Sequence, residues 1–156
     1  MGENAELSVN HKRAWAFFLR SHAALIRRME MLVRANGGLP LDLYDVLLTL
    51  EESANGRLTM SELAEKVILS PSGVTRLIDR LEKQGFVARD VNPADRRSMF
   101  AVLTPEGRVA RETAWPIYHK VIKTEFACKL TSEEAASLAT LLKRYLHPDI
   151  GVDVWS

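Results

Sequence analysis

The sequence has a single cysteine, no long apolar run and almost no net charge, and each shortage excludes a class of protein. Among 156 residues only Cys128 is a cysteine, which excludes a disulfide within the chain and a metal site built from several cysteines. Such cysteine usage agrees with a reducing compartment. No apolar run approaches the roughly 20 residues of a membrane span, and the N-terminus lacks the charged, apolar and cleavable order of a secretory signal. We therefore expect a cytoplasmic protein with no membrane partner.

The motifs of common enzymes are also missing. The chain contains no glycine-rich phosphate-binding loop, no nucleophile elbow and no pair of histidines spaced for a metal on one helix. Its four histidines, at positions 11, 22, 119 and 147, are scattered along the sequence. We predict that the protein is not an enzyme and that it uses no metal and no cofactor.

The net charge of +1 argues against binding nucleic acid through bulk charge alone, so the distribution of charge matters more. Between residues 11 and 35 the basic side chains are Lys12, Arg13, Arg20, Arg27, Arg28 and Arg34, against Glu30 alone. Two interpretations stay open at this stage. The segment is either a solvated helix face or a surface that lies near phosphates or an anionic ligand.

Helical periodicity predicts two helices before residue 55. The first spans residues 11–35, and its apolar stripe, at steps of three and four, consists of Trp15, Phe18, Leu19, His22, Ile26, Met29 and Val33. Gly37 and Gly38 end this helix. Pro40 opens a second helix through about residue 54, with a stripe of Leu43, Val46, Leu47 and Leu50.

Two further helices are predicted after residue 103. Thr104 begins a long helix toward residue 129, in which Pro116 predicts a kink or a break. Residues 131–134 have the spacing of a capping box and open a last helix, which His147-Pro148 ends. Its apolar face consists of Ala135, Leu138, Ala139, Leu142 and Tyr145. Residues 1–10 and 148–156 are expected to be loosely ordered tails.

Residues 57–105 predict a helix-turn-helix followed by a two-stranded wing. Thr59 and Glu62 have the spacing of a capping box that opens a short helix. After a turn at residues 68–69, Ser70 is suited to cap a second helix that Gly85 terminates. Its buried side is expected to hold Val74, Leu77, Ile78 and Leu81. Extended segments at 86–91 and 98–103, joined by a turn at 92–95, form the wing.

In a winged helix-turn-helix the second helix enters the major groove, so its exposed face should suit DNA. The candidate DNA-binding residues there are Ser70, Ser72, Gly73, Thr75, Arg76, Asp79, Arg80 and Lys83. Arg76 is placed for a bidentate contact to guanine, whereas Arg80 and Lys83 are placed for phosphate. The alternative is a solvated ladder of ion pairs along an ordinary helix, because these charges are spaced three and four apart.

The predicted wing tip favours the DNA interpretation. It carries Asp95, Arg96 and Arg97, and arginine beside a recognition helix is suited to the negative potential of the minor groove. A salt bridge from Asp95 to one of the arginines is the structural alternative. It is compatible with DNA contact because it would fix the shape of the wing.

The sequence resembles the MarR family of bacterial regulators. The resemblance rests on LTMSELA at 58–64, LSPSGVTRLIDRLE at 69–82, GFV at 85–87, DRRS at 95–98 and LTPEGR at 103–108. It covers almost the whole chain and implies a mainly α fold with a small β-hairpin wing. A winged helix-turn-helix lobe would occupy residues 39–108, with dimerisation helices at 11–35 and 109–147. The resemblance further implies a homodimer, acting as a repressor, that binds a pseudo-palindromic operator in double-stranded DNA.

Members of this family commonly respond to small aromatic acids or phenols bound between the dimer helices and the DNA-binding lobe. The candidate ligand-binding residues are Trp15, Arg20 and His22 on the first helix and Tyr44 and Asp45 on the second. Trp15 can stack on an aromatic ring, Arg20 can pair with a carboxylate, and histidine, the residue type at position 22, can change its charge near neutral pH. The competing interpretation places Trp15 and His22 in the core or in a dimer contact.

Two other functions are weighed against this one. Some MarR-like proteins sense oxidants through a cysteine, but Cys128 lies among Phe126, Ala127 and Leu130, which predicts an inert buried thiol. A winged helix can also serve as a protein-interaction module rather than a DNA-binding one. Salt dependence separates the protein-interaction function from the DNA-binding function, because binding through phosphates weakens steeply as salt rises.

Overall fold

The computed structural model describes residues 6–67, 71–95 and 97–146, with the side chains of Pro71 and Ser72 left undescribed. Its elements in chain order are α1 (Val9–Ala35), α2 (Leu41–Glu52), β1 (Arg57–Thr59), α3 (Met60–Lys66), α4 (Pro71–Lys83), β2 (Val87–Val91), β3 (Met99–Leu103), α5 (Pro105–Glu125) and α6 (Ser132–Lys143), with single 3-10 turns at Ala54–Gly56 and Ala127–Lys129. The predicted mainly α fold with a small β wing is confirmed.

Local caps decide where the helices begin. Ser8 accepts a hydrogen bond from the His11 backbone N–H at 3.2 Å, so α1 begins at Val9. The prediction of a loose tail through residue 10 was therefore wrong at its end. Both predicted capping boxes, at Thr59 with Glu62 and at Thr131 with Glu134, are confirmed. Each satisfies backbone N–H groups that the first turn of a helix leaves without partners.

One core unites α2, α3, α4 and the sheet. Its buried members are Leu43, Val46, Leu47, Leu50, Leu58, Leu63, Val67, Val74, Leu77, Ile78, Leu81, Val87 and Ala101. The four residues predicted on the buried side of α4 are all among them. After α4 the chain reverses at Gly85, whose φ of +75° is a conformation that glycine adopts without strain.

The sheet has one strand more than the sequence predicted. Its order is β1-β3-β2, with both pairs antiparallel, so the predicted hairpin of β2 and β3 is confirmed. The added strand β1 spans three residues, and its central Leu58 lies opposite Ala101 of β3. A three-residue strand shows no readable alternation, which is why it was missed.

Helix α5 runs unbroken through Pro116, which excludes the break but not the kink that were predicted as alternatives there, and it ends at Glu125 rather than near residue 129. Packing holds it on either side of the proline. Ala114, Tyr118 and Val121 are buried against Val33 of α1 and Tyr44 of α2. The Tyr118 hydroxyl donates to the Leu39 carbonyl oxygen at 2.7 Å, and its ring stacks on Tyr44 with centroids 4.0 Å apart. This second cluster fastens α1 and α5 to the lobe.

In the part of the chain that the structure describes, the N-terminal half of α1 and all of α6 contain no buried residue. Helix α6 ends at Lys143, before the predicted stop, while His147 and the residues after it lie outside the described residues. Large apolar side chains remain exposed on these helices, at Trp15, Phe17, Phe18, Leu19 and Leu141, and just after α6, at Tyr145 and Leu146. The prediction of a buried Cys128 was also wrong, because this thiol is exposed and donates to the Thr124 carbonyl oxygen at 2.9 Å.

Candidate nucleic-acid interface

Helix α4 has one apolar and one polar side, as its sequence predicted. Opposite its buried residues it presents Gly73, Thr75, Arg76, Asp79, Arg80 and Lys83 to the surface, with Thr75, Arg76, Arg80 and Lys83 exposed and the other two half-buried. A Cβ built on Gly73 meets nothing within 4 Å, so the backbone here is open to close approach. Ser70 and the side chain of Ser72, both predicted to bind DNA, lie outside the described residues.

Arg80 is tied to another helix. Its Nη1 donates to Oδ2 of Asp42 on α2 at 3.0 Å. Asp42 is the second residue of α2, and its Oδ1 accepts from the Leu43 backbone N–H at 2.9 Å. A carboxylate in the first turn is favoured by the partial positive charge of the helix N-terminus. The pair joins the recognition helix to the start of α2.

Arg89 ties α4 to the wing. From strand β2 its guanidinium donates to Asp79 at 2.6 Å and also to Glu82, so two carboxylates one turn apart on α4 share one arginine. Hydrogen bonding to Asp79 is the largest influence that raises the pKa of Arg89, and burial opposes it. The ion pairs that α4 makes with described residues thus run to other elements rather than along the helix, which answers the alternative of a solvated ladder.

Sequence reasoning missed both Asp42 and Arg89. Asp79 and Glu82 stand three positions apart, so their placement on one helix face was a readable signal for a shared cation. Nothing in the local pattern names the strand residue that supplies that cation, because the pairing depends on how the wing packs.

The wing tip is shaped by hydrogen bonds between side chains and backbone. Asp95 Oδ1 accepts from the Arg97 backbone N–H at 3.0 Å, and Asn92 Oδ1 accepts from the Ala94 backbone N–H at 3.0 Å. Asn92 Nδ2 also donates to the Ser98 hydroxyl at 2.8 Å across the hairpin. Asp95 therefore fixes the tip through the Arg97 backbone and makes no ion pair with the Arg97 guanidinium, whereas the alternative salt bridge to Arg96 falls outside the described residues. The Arg97 side chain is exposed, and Arg96 lies outside the described residues.

A second polar region lies between α2 and α5. Glu51 accepts from Arg108 at 2.7 Å and pairs with Arg111 at 2.5 Å. Burial raises the pKa of Tyr44, and the neighbouring Arg111 guanidinium opposes that rise. Nevertheless, the Tyr44 hydroxyl and Arg111 Nε are both buried and meet no partner in hydrogen-bond geometry among the described residues.

The predicted ligand residues fall into two groups. Tyr44 is only 3% exposed, and Asp45 beside it is half-buried. Trp15, Arg20 and His22 are exposed on α1, where Trp15 packs against Phe18 at a centroid distance of 6.4 Å. The apolar cluster around Tyr44 includes Met29, Leu32 and Val33 of α1 but not Trp15.

Two absences apply to the part of the chain that the structure describes. It contains no group of histidine, cysteine, aspartate or glutamate side chains that could hold a metal ion. It also contains no helix that is both long and apolar enough to cross a membrane.

Comparison with known proteins agrees with the geometry. The model of the MarR family matches residues 39–99. The HTH-type transcriptional repressor MdtR of Bacillus subtilis is 34% identical over 124 residues, which are 80% of this chain and 75% of that protein. Sco3205, a MarR family transcriptional regulator from Streptomyces coelicolor solved in complex with DNA, aligns over 99% of both chains with 27% identity and a TM-score of 0.81. AbsC from the same organism aligns over 89% of this chain and 93% of its own with 29% identity and a TM-score of 0.76. The chain belongs to the MarR family of DNA-binding transcriptional regulators, which are not enzymes.

Proposed function

We propose that the protein is a homodimeric, ligand-responsive repressor that acts in the cytoplasm on a pseudo-palindromic DNA operator. The observation that carries this proposal is the exposed polar face of α4, held beside an arginine-bearing wing by Arg89. The relative MdtR is named as a repressor, and Sco3205 was solved with DNA, which supports the same direction of function here.

The proposed roles follow from position. Arg76 is exposed in the middle of α4 and reads a base edge in the major groove, whereas Arg80 and Lys83 farther along bind phosphate. Arg97 on the exposed wing tip enters the minor groove. Ser70, Ser72, Gly73 and Thr75 allow close approach at the start of α4. Asp79, Asp95 and Arg96 belong to the same surface, with Asp79 and Asp95 fixing the shapes of α4 and the wing.

The proposed dimer uses residues 11–35 and 109–147, outside the lobe at 39–108. The N-terminal half of α1 exposes large apolar side chains, among them Trp15 at 64%, and so does the end of α6 with the residues that follow it, where Tyr145 is 85% exposed. Exposed apolar surface marks an association site when it is extensive, and most soluble homo-oligomers are two-fold dimers. A second copy would cover these side chains and set the spacing of the two lobes at about one helical turn of DNA, ~34 to 36 Å.

The proposed effector is a small aromatic acid or phenol. Tyr44 and Arg111 support it, since their buried polar atoms without hydrogen-bond partners can bond to a carboxylate or a hydroxyl. Asp45 lies beside Tyr44, and in the dimer Trp15, Arg20 and His22 of α1 would complete the site. Because α2 and α5 meet there, a bound ligand would change how the lobe sits on the dimer helices.

DNA binding is tested by titrating labelled DNA from the region upstream of the protein's own gene with Arg76→Ala and Arg97→Ala. Both variants should bind more weakly, and Arg76→Ala should also discriminate less between operator and mixed-sequence DNA, by about 1 to 3 kcal/mol. Arg27→Ala, which removes an exposed arginine of α1, is the matched control. Unchanged titrations for both variants would contradict the assigned roles, and binding insensitive to salt would favour a protein-interaction module.

The effector site is tested with benzoate and phenol in the same titration. Either compound should release the wild-type protein from DNA, and Tyr44→Phe should need more of it because the variant lacks the hydroxyl. Tyr118→Phe, which removes a hydroxyl already bonded to Leu39, is the control. Equal sensitivity of wild type and Tyr44→Phe would place the effector elsewhere.

A further inference from the structure

We propose that Asp42 sets the DNA affinity of this protein by competing with DNA phosphate for Arg80. The inference rests on the proposed function, which assigns Arg80 to phosphate. It adds a residue outside the helix-turn-helix that tunes how strongly the recognition helix holds DNA.

The Asp42 carboxylate is the fixed half of the pair. One oxygen accepts from the Leu43 backbone N–H at 2.9 Å and the other from Arg80 Nη1 at 3.0 Å. The side chain of Asp42 is 28% exposed and that of Arg80 is 50% exposed. The carboxylate thus stays with α2, while the long arginine side chain can leave it.

Arg80 also lies on the face that the proposed function turns to DNA. It follows Arg76 by one helical turn and precedes Lys83 by three residues, so the three side chains share one side of α4. A half-exposed ion pair contributes little net stability, so a phosphate anion can take the place of the carboxylate. Asp42 occupies the place of that anion when DNA is absent. Arg80 must therefore leave Asp42 before it binds phosphate, which lowers the net affinity for DNA.

The test is a double-mutant cycle of Asp42→Asn and Arg80→Gln, titrated against a fluorescein-labelled 30-base-pair duplex of mixed sequence. A mixed duplex suffices because phosphate contacts do not depend on sequence. Asp42→Asn should bind about threefold more tightly, in line with the strength of exposed pairs. Its plot of log affinity against log salt should keep nearly the wild-type slope, because Arg80 neutralises the same phosphate in both proteins.

The gain must depend on Arg80. In the Arg80→Gln background, Asp42→Asn should change the affinity little. Asp90→Asn is the matched control, since Asp90 on β2 also accepts from a backbone N–H, at 2.8 Å from Val91, but makes no ion pair among the described residues. It should strengthen binding less than Asp42→Asn. Thermal melts of each variant verify that the lobe remains folded.

The outcomes distinguish the competition by Asp42 from the phosphate role of Arg80. Weaker binding by Asp42→Asn, the same gain in the Arg80→Gln background, or an equal gain in Asp90→Asn would each overturn the proposed competition. If Arg80→Gln weakens binding but Asp42→Asn does not strengthen it, the competition fails while the phosphate role of Arg80 survives. If Arg80→Gln changes nothing in either background, the phosphate role fails as well.

Discussion

The lobe, residues 39–108, and the outer helices α1, α5 and α6 are built from similar amounts of apolar sequence. They differ in how many of their apolar side chains are buried. Every helix and strand of the lobe places side chains in one core, where Val46, Leu47, Leu50, Leu63, Ile78 and Leu81 are fully buried. Helix α6 buries nothing within the chain, and α1 buries only Val33, near its C-terminal end. Since burial is the main favourable term in folding, the lobe gains most of its stability within one chain, whereas we propose that a second copy covers the exposed apolar faces of α1 and α6.

This difference divides the expected behaviour of variants. Damage to the lobe should lower its free energy of unfolding at any protein concentration. Damage to the outer surface should act through association, and its effect should therefore change with concentration.

The largest effect is expected for Ile78→Ala in the lobe. Ile78 has no exposed surface and lies at the centre of the core, so truncation should cost about 2 to 5 kcal/mol of unfolding free energy. Urea unfolding at two protein concentrations measures the loss, which should be the same at both. Leu141→Ala on α6, where the side chain is 50% exposed, is the control. If Leu141→Ala lost a comparable unfolding free energy at both protein concentrations, the two regions would not differ as described.

The second effect concerns association through α1. Trp15 and Phe18 lie on the predicted apolar stripe and are 64% and 48% exposed, so replacing both by serine should weaken dimer formation about 100-fold. Sedimentation across a dilution series measures the change. Phe17 is as exposed as Trp15, at 64%, but lies about 200° around the helix from it. Phe17→Ser should leave association nearly unchanged. If it weakened the dimer as much as the double variant does, association would not depend on the side of α1 that carries Trp15 and Phe18.

The two regions also differ in how far the sequence predicted them. Within the lobe, caps and periodicity identified α3, α4, the hairpin and the buried side of α4, because these features depend on residues close together in the chain. Strand β1 was not predicted, because three residues are too few to show an alternation of apolar and polar side chains. Its position also depends on pairing with Ala101, which is far away in the sequence.

In the outer helices the errors have a common physical origin. Pro116 predicted a kink or a break, and packing of residues on both sides of it keeps α5 continuous. Cys128 among apolar neighbours predicted burial, yet the described residues leave it exposed. Sequence patterns predict that a face is apolar but not what covers it. The sequence likewise predicted the exposed face of α4 and the wing tip as the candidate site. It did not predict the ion pairs of α4 with Asp42 and Arg89, because these depend on how the elements pack.

A smaller effect is expected from loosening the tie between α4 and the wing. Arg89→Lys keeps the positive charge but replaces a fork that reaches two carboxylates with a single ammonium. DNA binding should weaken about fivefold because α4 and the wing no longer hold one orientation. The slope of log affinity against log salt should stay unchanged, because no phosphate contact is lost. Arg57→Lys, on the exposed edge strand β1, is the control, and a flatter slope in Arg89→Lys would mean that Arg89 itself contacts phosphate.

The smallest effect is a change of stability with pH at two glutamates. Burial, together with the charge of Glu51, raises the pKa of Glu52 above its ordinary value of 4.5. Hydrogen bonds from Thr59 lower the pKa of Glu62 below the same value. The native state therefore disfavours ionised Glu52 and favours ionised Glu62.

Replacing each glutamate by glutamine should shift stability in opposite directions. Glu52→Gln should be slightly more stable than wild type at pH 7, because it removes a charge that becomes costly as the pH rises from 4.5 through the raised pKa. Glu62→Gln should be slightly less stable at pH 7, because the contribution of ionised Glu62 is lost only as the pH falls below 4.5 through its lowered pKa. Urea unfolding at pH 7 and pH 3.5 measures both differences, and each should shrink at the lower pH. Since Glu52 lies at the end of α2 next to Glu51 and its arginine partners on α5, a loss of stability in Glu52→Gln at pH 7 would show that the carboxylate helps to hold the lobe to the outer helices.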